Sequence, residues 1–469
     1  MKRSVGQVSV PCFLPVRPST THHKAALLRE TADDVILMEK LIISGQRKLN
    51  GDVHISGMKN AALPILFACA LNTETCVIEN VPPVSDIGTT LSILADMGVE
   101  IEYRNRNTVI INAAGFNSTV SSDNKVRKIR ASSYLLGVEL GRTGKTRVAY
   151  PGGCSFGVRP LDQHLKGFEI MGAEMSGDHG GISGCAPDGL HSGKIMLDIP
   201  SVGATVNLIL AAVLTPGLTV FGNAAREPHI VDLAVFLNSC GAKIIGAGTS
   251  DIKIEGVERL HGCTHTIIPD MIEAGTYMAA VAGTGGRVNI LNVIPKHLES
   301  IVGKLREMGV DIEEGDTYVT VSSTGELKSS QITTAAYPGF PTDMHPQFAV
   351  LLCSAQGMGT VTDKIWENRF AYVEELLKMG ATVTRAGNTA CFAGNQKLCG
   401  AAVEATDLRG GAAMVIAALM AEGETEIGKL NYIDRGYDDL IGKLRGLGAD
   451  IRRVDVSEDA DFKFGAITD

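Results

Sequence analysis

The chain has 469 residues, 45% of them hydrophobic and 20% charged, with a formal net charge of −9 at pH 7. That balance describes a well-packed globular protein, excludes a wholly disordered chain and makes nucleic acid an unfavourable partner. No run of about 18 apolar residues occurs, so no membrane span and no membrane partner is expected.

Residues 1–37 hold three prolines, a Thr-Thr-His-His run and an Asp-Asp pair. They predict a disordered extension or a start-site artefact, and the lack of an unbroken apolar core argues against a secretory signal. After Met38 a pattern sets in and repeats six times: an apolar helix end, a glycine, Ala or Val, then a strand. The glycines are Gly98, Gly172, Gly241, Gly309, Gly380 and Gly448, spaced 68 to 74 residues apart. A near-constant period means one supersecondary unit used six times. Each glycine suits a helix C-terminus, where a left-handed residue closes the last turn. Each unit then predicts two strands, a polar loop, a third strand and a second, nearly all-apolar helix. These second helices are expected over 61–71, 132–141, 204–215, 274–282, 347–355 and 412–421, buried on every side. Too few residues follow Gly448 to complete its unit. Residues 43–51 resemble 392–400, so the N-terminal stretch is expected to complete the sixth unit. Six units exceed one core. The prediction is an α/β protein of two three-unit domains, one made of 38–58 with 270–469 and the other of 59–269.

Charged residues recur where the apolar helices begin: Lys59 with Asn60, Arg130, Asp343 and Arg409, with Ser201 and Asp270 in the other two copies. Ser, Asp and Asn there are ordinary caps. Lys and Arg oppose the helix dipole at that end, so capping does not account for them. Converging helix N-termini lined by cations point to an anionic ligand held between the domains. Lys125, Arg127, Lys128 and Arg130 form the one strongly basic cluster, read on charge alone as a solvated face.

The segment PGGCSFGVRP (151–160) is a loop, with three glycines and two prolines. Its Cys154 is a thiol five residues from Arg159, whose charge favours the thiolate. Such a thiol serves as general acid or nucleophile, and an inert loop thiol stays open on chemistry alone. Of the ten cysteines no two form a CxxC pair, and Cys69, Cys240, Cys353 and Cys391 fall in apolar segments, as in a reduced cytoplasmic protein. The run His261-x-Cys263-x-His265 supplies too few of the four ligands zinc takes, so no metal is expected.

Taken together, SGMKNAALP (56–64), RAS (130–132), PGGC…GVRP (151–160), SVGAT (201–205), NAAREP (223–228), PTDM (341–344), ENRF (367–370), ATDLR (405–409) and DRGY (434–437) resemble the enolpyruvyl transferases across residues 39 to about 454. The resemblance implies an inside-out α/β barrel pair with βαβαββ units, three per domain. It implies that the enolpyruvyl group of phosphoenolpyruvate moves to the 3′-hydroxyl of UDP-N-acetylglucosamine with release of phosphate, the first committed step of peptidoglycan synthesis, with no cofactor. It implies phosphoenolpyruvate contacts from Lys59, Asn60, Arg159, Arg369, Arg409 and Arg435. Cys154 is implied as the acid that protonates the methylene carbon, and Asp343 as the residue that takes or holds the sugar hydroxyl proton. UDP-sugar contacts are implied for Asn60, Arg130, Arg159, Pro160, Leu161, Asp162, Gln163, Ser201, Val202, Asp343 and Ile365. Asp407 is implied in a charged set with Arg369 and Arg409. Met58 and Met271 stand where the family usually has Ala and often has Arg. Two alternatives stand beside this reading: a shikimate-pathway enolpyruvyl transferase, and a non-enzymatic UDP-sugar sensor.

Overall fold

All six repeat glycines adopt the left-handed backbone, with φ of 83°, 88°, 96°, 94°, 89° and 98° from Gly98 to Gly448. This computed structural model describes residues 38–117, 123–152 and 161–456. The expected extension over 1–37 lies outside them, as do Cys154, Arg159 and Pro160. At each glycine the amide closes the last helical turn, as when Gly309 donates to Arg306 O at 3.0 Å. The next residue is then free to start a strand. The predicted repeat is therefore a repeat of backbone geometry and not only of composition.

Among the described residues the strands form five four-stranded sheets and one of three strands. In a typical sheet the hairpin Asp311–Glu314 and Tyr318–Ser323 pairs antiparallel onto Gly286–Leu291. That strand in turn pairs in parallel with Leu49–His54, from Gly286↔Leu49 to Leu291↔His54. The N-terminal strand Met38–Ser44 lies between Glu424–Gly428 and Asp450–Val456, antiparallel to both. Met38–Ser44 thus completes the last unit, as the sequence match of 43–51 to 392–400 predicts.

One unit departs from the pattern. The sheet of Lys145–Ala149, Gly181–Cys185 and Glu174–Gly177 has three strands, and Asp123–Val126 is a helical turn where a strand was expected. The Ser132 hydroxyl contacts the carbonyls of both Val126 and Ile129 at 2.7 Å, and this folds the segment back on itself. The basic cluster is also less free than a solvated face: Lys125 Nζ bonds Asp96 at 2.7 Å and Arg127 donates to Gly180 O at 2.9 Å.

The apolar helices fill the interior. Met271–Thr284, His345–Ser354 and Leu408–Met420 pack on one another, and every residue of Leu408–Met420 is buried. Leu135–Thr143 packs on both Lys59–Ala68 and Val202–Ala212. Its approach to the latter needs a glycine: a Cβ at Gly137 would lie 2.3 Å from Asn207 O. Each fully buried Leu or Ile in these helices contributes roughly 1.5–3 kcal/mol relative to exposure.

The chain crosses between the two helix groups twice, side by side. Met58 N donates to Ile268 O at 2.7 Å and Asp270 N donates to Ser56 O at 2.9 Å. These bonds fix where Lys59–Ala68 and Met271–Thr284 begin, and so position Lys59 at a helix N-terminus. Met58 is buried there and keeps its backbone bond, so its bulk is accommodated. Among the described residues no helix is long and apolar enough to cross a membrane.

Candidate active site

Two clusters of opposite charges form where helices begin. In the first, Lys59 is the first residue of Lys59–Ala68, and its ammonium is buried. Sequence reasoning left this cation without an internal partner. The structure supplies one in Asp86, on the helix Ser85–Asp96, with Lys59 Nζ 2.9 Å from Asp86 Oδ2. Arg435 reaches the same carboxylate, with Nε 2.9 Å from Oδ1 and Nη2 3.4 Å from Oδ2. Burial acts to raise the Asp86 carboxyl, but Lys59 and Arg435 outweigh it and hold the group below its ordinary range. The carboxylate keeps both cations desolvated, charged and aimed at one point.

In the second cluster Asp343 is clasped by two arginines. Arg369 Nη1 lies 2.7 Å from Oδ1 and Arg409 Nε lies 3.1 Å from Oδ2. Burial again pushes the acid up, and the two guanidinium groups push it far below its ordinary range. Arg409 sits in the first turn of Leu408–Met420, whose N-cap Asp407 accepts from the amides of Arg409 and Gly410. Its Cζ lies 5.3 Å from the centre of the Tyr437 ring. Arg409 Nη1 is buried and makes no hydrogen bond among the described residues, a donor available to a ligand. Behind Asp343, Thr342 donates to Asp363 at 2.9 Å and accepts from Arg369 at 3.1 Å, which locks the arginine in place. Asp343 also acts electrostatically on His229, whose pKa burial lowers to about 4. The two clusters share a segment, because Arg435 and Tyr437 flank Gly436.

A third group gathers residues expected to hold the nucleotide sugar. Ser201 caps Val202–Ala212 through Ala204 N. Gln163 accepts from Asp198 N at 2.9 Å, joining the helix Asp162–Ile170 to the segment before Ser201. The ring of buried His164 lies against Gly203, where a Cβ would come within 2.9 Å of it. Burial first, then the charge of Arg130, lowers His164 to about 3. Arg130 and Asp162 both act electrostatically on this imidazole, whose Nδ1 lies 2.8 Å from Asn207 Nδ2. Asn60 is half-buried beside Lys59, and Ile365 is exposed on the turn held by Asp363, whose Oδ1 accepts from Ile365 N at 2.9 Å.

Asp86, His164, Thr342 and Asp363 are the partners that motif reading missed. Asp86 looks like an ordinary acid in the first turn of an amphipathic helix. His164, Thr342 and Asp363 carry no spacing signal; only the fold brings them to their partners. Arranged in this way, the residues can bind a multiply charged anion against Lys59 and Arg435. They can also bring a hydroxyl to Asp343.

A family model described as EPSP synthase (3-phosphoshikimate 1-carboxyvinyltransferase) matches residues 43–444. A Clostridium botulinum protein named UDP-N-acetylglucosamine 1-carboxyvinyltransferase is 51% identical over 418 residues, covering 89% of this chain and all of its own. A Clostridium acetobutylicum protein named UDP-N-acetylglucosamine 1-carboxyvinyltransferase 2 is 52% identical over 417 residues, covering 89% of this chain and 99% of its own. Among solved structures, the enolpyruvyl transferase NikO from Streptomyces tendae aligns with a TM-score of 0.82 at 26% identity, over 90% of this chain and all of that one. An EPSP synthase from Acinetobacter baumannii aligns at 0.69 and 19% identity over 89% of this chain and all of that one, a likeness of fold alone.

Proposed function

The chain belongs to the enolpyruvyl transferase family, and we propose that it transfers the enolpyruvyl group of phosphoenolpyruvate to the 3′-hydroxyl of UDP-N-acetylglucosamine, releasing phosphate. The observation that carries this reading over a shikimate-type reaction is the agreement, at about half of all positions and over their full length, with relatives of that name. The two carboxylate-centred cation clusters support it chemically. We read the two helix groups as domains of 59–269 and of 38–58 with 270–469, with the substrates between them. We place the reaction in a reducing cytoplasm, where the Cys154 thiol stays free, at the first committed step of peptidoglycan synthesis.

On this reading the donor's phosphate lies on Lys59 and Arg435, with Arg159 from the loop over 151–160. Phosphate brings more negative charge than the Asp86 carboxylate, so it takes over the inner faces of both cations while Asp86 keeps them oriented. Asn60 lies beside that phosphate and within reach of the nucleotide sugar. Arg130, Arg159, Pro160, Leu161, Asp162, Gln163, Ser201, Val202 and Ile365 bind the UDP-sugar. Cys154 gives its proton to the methylene carbon of the donor, and the adjacent carbon, made cation-like, accepts the 3′-oxygen. Loss of phosphate and of a proton from the former methylene carbon then regenerates the double bond on the new ether.

Asp343 faces two demands. Clasped by Arg369 and Arg409 it is too weak a base to take a hydroxyl proton, and it can only hold the hydroxyl. The donor's carboxylate competes for those arginines, and each guanidinium drawn away raises the proton affinity of Asp343. Donor binding and base strength are coupled in this way, so the base is armed only when the donor is bound. Asp407 keeps Arg409 at the helix start, where the exchange occurs.

Phosphate release measured with each acceptor tests the reading. Release that requires both phosphoenolpyruvate and UDP-N-acetylglucosamine, and fails with shikimate 3-phosphate, supports it. Release with shikimate 3-phosphate would move the chain to the rival reaction. Sugar-nucleotide binding without any turnover would make it a sensor.

A further inference from the structure

Three of the eight described cysteines bring their sulfurs together, a fourth lies near them, and none of the four belongs to the site above. Cys69 follows Lys59–Ala68 at the end opposite Lys59, about 15 Å along the helix axis. Cys76 lies in the strand Thr75–Glu79, and Cys263 immediately precedes Thr264–Thr266, which pairs with it in parallel. Cys240 caps the C-terminus of Pro228–Ser239. The sulfurs of Cys76, Cys240 and Cys263 all lie within 4.8 Å of one another, with Cys240 and Cys263 at 3.3 Å. Buried Cys69 lies outside this trio but close enough to Cys76 and Cys263 to interact with both electrostatically.

The backbone holds this cluster in place. Val77 N donates to Cys263 O at 2.9 Å, and His261 N donates to Cys240 O at 2.9 Å. The Asn72 amide donates to the Cys76 sulfur at 3.3 Å. Thiols acting only as small hydrophobes need neither to meet one another nor to receive an amide N–H.

We propose that Cys76, Cys240, Cys263 and Cys69 form a structural site for one zinc ion. A tetrahedral zinc–thiolate centre has Zn–S bonds of about 2.3 Å and so sulfurs about 3.8 Å apart, which the sulfurs of Cys76, Cys240 and Cys263 reach with side-chain shifts on the order of 1 Å, with Cys69 the neighbouring thiol for the fourth position. Each thiol that binds releases its proton to solvent, and no electron is transferred. Cys263 is half-buried and gives the ion a path from solvent, while Asn72 supports the thiolate charge at Cys76. The run His261-x-Cys263-x-His265 fails as a zinc motif because its co-ligands lie in distant parts of the chain. The site would tie together a helix end, a strand, a helix C-cap and a loop.

The test uses the full chain, freed of metal under a phosphine reductant, in a Cys154→Ser background that removes the loop thiol. Zinc retained through gel filtration is counted by elemental mass spectrometry, and Co2+ is titrated as an optical probe. The expected result is one zinc per chain and a sulfur-to-cobalt charge-transfer band that saturates at one equivalent. Cys240→Ala and Cys263→Ala should each abolish the band and the retained zinc, while Cys399→Ala leaves both intact. A second readout needs no core variant: zinc should protect Cys69, Cys76, Cys240 and Cys263 from alkylation under partial denaturation. Fully reduced chain that retains no zinc and gives no band overturns the proposal. So does an undiminished band in the Cys240 and Cys263 variants, or a Cys240–Cys263 disulfide that persists under the reductant.

Discussion

Replacing Asp86 by Asn removes one buried carboxylate and leaves two cations facing each other. The side chains of Lys59 and Asp86 are 8% and 7% exposed and that of Arg435 is 17% exposed, so water screens the loss poorly. Removing one partner of a buried ion pair costs about 3–5 kcal/mol. At roughly 2 °C per kcal/mol for a large domain, the melting temperature should fall by about 6–10 °C. Phosphoenolpyruvate supplies the missing negative charge, so it should raise the melting temperature of Asp86→Asn more than that of the parent. The depressed pKa of Asp86 gives the sign in acid: its contribution is present above the unfolded value of about 4 and is lost as pH falls through the folded value. The two proteins should therefore converge in acid. Differential scanning calorimetry with and without phosphoenolpyruvate measures each of these effects. A variant that melts within 2 °C of the parent, or gains no more than the parent from the ligand, refutes the picture of a carboxylate restraining two substrate-seeking cations.

Arg435→Ala should raise KM for phosphoenolpyruvate far more than for the sugar nucleotide; equal rises would remove its assignment to the phosphate. Cys154 should be alkylated by a fosfomycin-type epoxide, seen as a mass shift on its peptide, and Cys154→Asp should keep turnover while losing the adduct; a folded but inactive variant counts against its role as an acid. Burial raises Glu139 to about 7 from 4.5 despite hydrogen bonds from Thr146 and Arg147 N, so its folded form holds a proton that the unfolded form loses. Stability should then decline between those pH values by up to about 3 kcal/mol, and Glu139→Gln should flatten that slope in urea titrations. Gly309→Ala should cost about 1 kcal/mol, since φ is +94° and the space is open, whereas Gly98→Ala should cost more because its Cβ would meet Gly115 O at 2.4 Å.

The parts of the fold that were legible in the chain are those with local causes. A glycine at a helix end before a strand has one comfortable geometry, and all six copies adopt it. Helices such as Leu408–Met420, with no polar face, had to be buried. The strand expected before Arg130 is a helical turn at Asp123–Val126, and the pattern does not show it because the Val126 and Ile129 carbonyls are taken by the Ser132 hydroxyl, several residues away. The candidate site divides in the same way. Cations at helix starts stood out because the dipole opposes them. Asp86 did not, because an acid in a first turn is ordinary until the chain returns with Arg435. The thiol cluster was hidden for the same reason, since Cys76, Cys240 and Cys263 meet only when a helix end and a parallel strand pair bring them together.

On the proposed reading, Lys59 and Arg435, restrained by Asp86, grip the donor while Asp343 meets the acceptor. Diffraction from crystals grown with UDP-N-acetylglucosamine and a non-reacting phosphoenolpyruvate analogue measures this most directly. The account predicts phosphate oxygens within hydrogen-bond distance of Lys59 and Arg435, and the 3′-hydroxyl within reach of an Asp343 carboxylate oxygen. An analogue bound elsewhere, with the Lys59–Asp86–Arg435 contacts untouched, would contradict it.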